Sequence, residues 1–221
     1  LPIAAGNTLE AVGGAWLIER FAGGTNAFRS VRGAALFTLL VVFVATPISA
    51  AIGVASLVIN GLAPLSAAPV IALNWWLGDA LGGLVVAPFV ILSTGIGWHP
   101  SVRRRAVEAG LAYGLLVVAA VGSYFQPPAG VHRDVSTLQA QLVVAAQYLM
   151  LPALIWVTVR FGPRGAAQTM LVLATVGVLT AMSGNGSLSI YSAQDRLVIL
   201  DLSLSAFALL MLLLGGLVWE R

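Results

Sequence analysis

The chain contains no cysteine and no lysine. Without cysteine, neither a disulfide framework nor a thiolate metal site is possible, and the redox compartment is not legible from cysteine usage. Without lysine, all 11 basic residues are arginines. Charge of either sign is scarce: 9% of the 221 residues are charged, against 59% hydrophobic, and the mean hydropathy is +0.98. A soluble domain does not tolerate that balance, so the chain is read as an integral membrane protein with the lipid bilayer as its first partner. The net charge of +3 and pI near 10.0 come from arginines gathered in loops. Such clusters report orientation in a membrane, and no nucleic-acid partner is expected. Catalytic signatures are missing as well: there is no Walker loop, HExxH, nucleophile elbow, or kinase or cyclase motif. The segment is therefore expected not to be an enzyme and to hold no metal or cofactor.

What is present is a series of apolar stretches, each long enough to cross a hydrocarbon core ~30 Å thick. Seven spans are predicted, near residues 3–20, 31–60, 68–93, 106–125, 138–159, 166–183 and 197–219. The expected fold is all-α, a polytopic transmembrane helix bundle forming one domain over residues 1–221. The segment 31–60 is long for one crossing and is expected to tilt and kink at Pro47. Arg20, Arg29 and Arg32 follow the first span, Arg103 to Arg105 the third, Arg160 and Arg164 the fifth, and Arg221 the seventh. The intervening loops are uncharged or balanced, as with Arg133 beside Asp134 and Asp195 beside Arg196. The arginine loops are accordingly placed in the cytoplasm, together with the C-terminus. His99 and His132 then fall on opposite sides and form no metal site. Seven spans ending inside leave Leu1 outside, so a further helix is expected upstream, making eight in the intact domain, with more chain after Arg221.

Three carboxylates interrupt these spans: Glu10, Asp79 and Asp201. Each costs about 2.5 to 3.5 kcal/mol at a helix centre on insertion scales, so each should face the bundle or a cavity. Asp79, inside the stretch NWWLGDALGG at 74–83, lies near mid-membrane; Glu10 and Asp201 lie in the outer half. Acids in such surroundings take up a proton or meet a cation or cationic ligand. Asn7 lies three residues before Glu10, and Trp75 and Trp76 one turn before Asp79. Aromatic faces beside a carboxylate suit an amine or a planar ligand; an interfacial aromatic belt is the plainer reading of the tryptophans. One outward-facing pocket formed by Asn7, Glu10, Trp75, Trp76, Asp79 and Asp201 is the candidate site. Gln147, Tyr148 and Tyr191 are further polar groups near such a pocket.

Small residues at helix-packing spacing, Gly78 with Gly82, Gly110 with Gly114 and Ser49 with Gly53, are read as packing seams, with a homodimer face as the alternative. Pro88 removes a donor and frees the Leu84 carbonyl, so the third span is expected to kink or break below Asp79.

The blocks AAGNTLEAVGGAWLIERF at 4–21, PISAAIG at 47–53 and NWWLGDALGGLVVAPFVI at 74–91 resemble the first class of membrane-associated sensor (MASE) domains of bacterial signalling proteins. The GN-x-x-EA opening and the W-x-GD-x-x-G-x-x-x-x-x-P element occur in order, placing Asn7, Glu10, Trp75, Gly78, Asp79, Gly82 and Pro88 at motif positions. Residues 106–221 share only hydropathy and span count with that family. The resemblance implies an N-terminal, multi-pass sensory domain of the bacterial inner membrane. Its expected partners are a small ligand or ion and a linked cytoplasmic output domain: diguanylate cyclase, cyclic-di-GMP phosphodiesterase or histidine kinase. The alternative is a proton- or cation-coupled module for transport of a small solute, which the same carboxylates would serve. No inverted repeat between the halves supports it.

Overall fold

The computed structural model describes residues 1–94, 106–124, 138–183 and 191–221. Among these residues there are seven α-helices and no strand. Helix α1, Pro2–Leu17, opens with a proline whose fixed φ suits the first turn. It continues as a π-turn over Ile18–Ala22 and stops at Gly23, whose φ of +89° is accessible because it has no Cβ. After a 3-10 turn, Gly24–Arg29, the Ser30 hydroxyl accepts the Gly33 N–H at 2.9 Å and starts α2, Val31–Leu40. A π segment, Val41–Ala45, joins α2 to α3, Thr46–Ile59, without interruption. The remaining helices are α4, Ala68–Thr94, α5, Ala106–Tyr124, α6, Leu138–Ser183, and α7, Ala193–Glu220.

The seven predicted spans and the seven helices correspond, but not one to one. Spans 31–60 and 68–93 are present as apolar rods, Val31–Ile59 and Leu65–Thr94, and span 197–219 lies within Ala193–Glu220. The predicted fifth and sixth spans form the two arms of α6, which breaks at Gly162 (φ 67°, ψ −156°) directly before Pro163. With Met150–Ser183, these rods make four helical segments long and apolar enough to cross a membrane. The expected break at Pro88 is absent: α4 remains α-helical through the proline, which is buried in the bundle.

The core lies where α2, α4, α6 and α7 meet, around Phe37, Val85, Leu154, Met170, Leu204 and Met211. Phe28, from the turn before α2, packs edge-on against Phe37 with ring centroids 4.7 Å apart. Large apolar side chains also cover the outside, among them Val12, Phe43, Leu111 and Val118, as a lipid-facing surface requires.

Arg29, Arg160 and Arg164 gather at one end of the bundle, and Arg196 starts α7 at the other. The Arg29 guanidinium lies 5.4 Å from the Trp219 ring centroid near the end of α7. A Cβ at Gly215 would lie 2.9 Å from Pro163 Cα, which brings the α6 break to the same place. Arg164 donates to the Leu92 carbonyl in the last turn of α4 at 2.9 Å, and Arg160 pairs with Glu108 in the first turn of α5. Alternation read from loop charge is thus matched by geometry for these loops. Arg103 to Arg105, His99, His132, Arg133 and Asp134, and the side chains of Gln147 and Tyr148, lie outside the described residues.

The π segment directly before Pro47 has a specific construction. In the π segment each N–H reaches five residues back, as Thr46 N–H does to the Val41 carbonyl. The next donor in that register would be Pro47, which has no N–H. The Val42 carbonyl is instead filled by the Trp76 indole N–H at 2.6 Å and the Thr46 hydroxyl at 3.0 Å. Trp76 therefore fastens α4 to the α2–α3 junction, with Phe43 beside its ring at 6.1 Å. Replacing Trp76 by phenylalanine keeps the packing and removes the donor, an expected loss of about 1 kcal/mol. Thermal unfolding in detergent reads it, and an unchanged midpoint would show that the indole bond contributes nothing.

Candidate functional site

Three helices carry residues at i, i+4 and i+8 that face one another. On α1 these are Gly6, Glu10 and Gly14; on the π segment and α3, Ala45, Ser49 and Gly53; on α4, Trp75, Asp79 and Gly83. Residues four apart share a helix face, so each row is a continuous stripe.

Glycines set how closely the stripes approach. A Cβ at Gly6 would lie 3.1 Å from Ile52 Cβ, and one at Gly14 would lie 3.3 Å from Ala45 Cβ. Gly6 and Gly14 are the buried residues of α1, so this helix meets α3 through backbone. On the other side of α3, a Cβ at Gly53 would come 2.5 Å from the Trp75 ring, and one at Gly83 would come 2.5 Å from Val41 Cγ1. Gly6 pairs with Ile52 and Gly14 with Ala45, so α1 runs antiparallel to α3. Gly53 pairs with Trp75 and Gly83 with Val41, so α4 does too.

The middle of each stripe is polar, and the three middles meet. The buried Ser49 hydroxyl donates to Asp79 Oδ2 and also lies 3.3 Å from the Thr46 carbonyl. Glu10 lies near Ser49 and Asp79 and interacts electrostatically with Asp79. Two carboxylates in such contact cannot both carry an uncompensated charge in a low-dielectric setting. A shared proton or a bound cation satisfies them, and one serine hydroxyl cannot neutralise either. The two acids thus gather negative charge where three helices meet.

The predicted site residues separate into those the fold brings together and those it does not. Glu10 and Asp79 meet, although the topological estimate put them at different depths. Trp75 lies over Gly53, next to the pair along the α3–α4 contact, whereas Trp76 is engaged by the Val42 carbonyl. Asn7 is exposed on α1. Asp201 sits on α7, which packs on α2, α4 and α6, while α1 packs on α3. Its carboxyl group shows no hydrogen bond, ion pair or electrostatic interaction with Glu10 or Asp79. Tyr191 is exposed before α7.

Among the described residues, nothing beyond the local backbone comes within 4 Å of a Cβ built at Gly78, Gly82, Gly110 or Gly114; the stripes approach closely at Gly53, as its spacing from Ser49 suggested, and at Gly6, Gly14 and Gly83. Ser49 was read only as a packing residue, and Gly6 and Gly14 were not singled out. The signal for all three was the four-residue spacing around Glu10 and within PISAAIG.

The MASE1 family model matches residues 1–221, the whole chain. No curated protein and no solved structure matches it. The polar stripes of α1 and α4 coincide with the GN-x-x-EA and W-x-GD elements, and the match extends over the C-terminal half, where only hydropathy had suggested kinship. The chain belongs to the MASE1 family, the membrane-associated sensor domains of signalling proteins.

Proposed function

We propose that this chain is the N-terminal input domain of a bacterial signalling protein in the inner membrane, with its arginine-bearing end in the cytoplasm. It receives its stimulus at Glu10, Ser49 and Asp79 and passes its state along α7 to a linked cyclase, phosphodiesterase or histidine kinase. The observation that carries this reading is the meeting of two carboxylates and a serine at the junction of α1, α3 and α4. A small ligand or ion that carries positive charge suits them, and its arrival or departure changes the attraction between three helices at once. To act as a signal, it must favour one bundle arrangement; moving an equilibrium from 1:99 to 99:1 takes a difference of roughly 10⁴-fold in affinity between the two states.

The test is output from the intact protein across pH and salt conditions, with Asp79→Asn and Glu10→Gln compared at matched membrane abundance. Both variants are expected to fix the output at one level. A response that follows the wild type in both would rule out the carboxylates as the receiving group.

A further inference from the structure

The far end of the helix that carries Ser49 is held by the far end of α7. Val31 N–H, an unfilled donor of the first turn of α2, is accepted by Glu220 Oε1 at 3.2 Å, although 189 residues separate them. One helical turn before Glu220, a Cβ at Gly216 would lie 2.8 Å from the carbonyl carbon and oxygen of Ser30 and 3.0 Å from Val31 N. Backbone rests on backbone there, with no side chain between to take up movement. Arg29, one residue upstream, covers the Trp219 ring at 5.4 Å. Gly215 bears on Pro163 on the other side, so α7 is held between the start of α2 and the break in α6.

This joint connects to the polar cluster through a single rod. Ser49 and Val31 belong to the continuous helical segment Val31–Ile59 and lie about 27 Å apart at ~1.5 Å per residue. Between them lies the π segment Val41–Ala45, which carries one residue more per turn than an α-helix and is a place where a rod can change rotation and rise. Val41 also bears on Gly83, and Ala45 on Gly14, so this segment touches the same two helices as the cluster. A change in how α1 and α4 sit on α3 therefore acts on the rod at Ser49 and at the π segment. It leaves the rod at Ser30 and Val31, where α7 is in backbone contact.

We propose that Ser30 and Val31, with Gly216, Trp219 and Glu220, form the coupling joint through which the state of the Glu10–Ser49–Asp79 cluster reaches the end of α7. The inference rests on the proposed sensory role of that cluster. It adds that the route runs through α2, and that Glu220 is a coupling residue whose carboxylate caps the first turn of α2.

Amide hydrogen exchange of the full-length protein in lipid nanodiscs tests it, read on peptides covering residues 30–34. Glu220→Gln weakens a charge-assisted cap and Gly216→Ala pushes the backbones apart; each is expected to speed exchange there by about fivefold, the factor that a lost cap of ordinary strength gives. Asp79→Asn is expected to change exchange in the same peptides by at least twofold. Glu10→Gln provides the same reading should Asp79→Asn not accumulate. If the cluster variants alter output while exchange at 30–34 keeps the wild-type rate, the joint is overturned and the sensory role stands. If they alter neither, the sensory role fails and the joint with it. Exchange unaffected by Glu220→Gln and Gly216→Ala would overturn the joint alone.

Discussion

Replacing Gly53 by isoleucine is expected to force α3 away from α4 and cause the largest loss of stability of any single substitution along the polar stripes. Its Cβ alone would sit 2.5 Å from the Trp75 ring, and that ring has Cζ2 and Cζ3 at 2.8 Å as well, so no small adjustment of one atom relieves it. Overpacking of this kind costs typically 1–3 kcal/mol, and a rigid indole against a helix backbone falls at the upper end. Thermal unfolding in detergent measures the loss. Pairing the change with Trp75→Ala should recover much of it, because the clash then has no second partner. A Gly53→Ile variant of wild-type stability would mean that α3 and α4 do not approach as described.

The second large effect concerns Ser49. Its hydroxyl donates to Asp79, with Glu10 nearby, so Ser49→Ala leaves the two acids without the donor that Asp79 now has. Loss of a hydrogen bond to a charged group costs about 1.5–3 kcal/mol. Glu10→Gln in the same chain is expected to restore most of that, because it removes one charge and supplies an amide donor in the same place. The full double-mutant cycle, by thermal unfolding at fixed pH, gives the interaction energy directly. If the two changes simply added, Glu10 and Ser49 would be energetically independent.

Much of this site was legible because a carboxylate in an apolar run demands an explanation whatever surrounds it. Glu10 and Asp79 were found that way, and so was Asp201, for which the same reasoning led elsewhere. The cost of burial depends on the residue itself, but its partner depends on which helices are neighbours. That neighbour relation is absent from local pattern: α1 packs on α3, while Asp201 rides on α7 among α2, α4 and α6.

Glycine spacing was informative at Gly53 and silent at the other two pairs, for a related reason. Gly78 with Gly82 and Gly110 with Gly114 have the same spacing as Gly6 with Glu10 and Gly14, and nothing in a four-residue repeat says whether the stripe faces protein. Pro88 was expected to break α4 because it loses one backbone bond, yet close packing on a buried proline preserves the helix. At Pro47 the missing N–H leaves the Val42 carbonyl to another donor. The compensating donor, Trp76, could not be named, since it arrives from another helix at a carbonyl displaced by the π register. The long apolar rods were legible because apolar length follows directly from the bilayer.

One feature of α1 bears on how such a domain responds at all. Its buried residues are two glycines, and its large side chains, Leu9, Val12 and Trp16, are exposed. In a bilayer those side chains lie in lipid whether or not α1 is docked, so they contribute little to holding it against α3. Close backbone contact and the carboxylate–serine group remain as the adhesive. Whatever alters the charge at Glu10 or Asp79 therefore also alters how firmly the first helix is attached. Should the proposed stimulus act at this cluster, α1 would behave as an internal ligand whose affinity the stimulus sets.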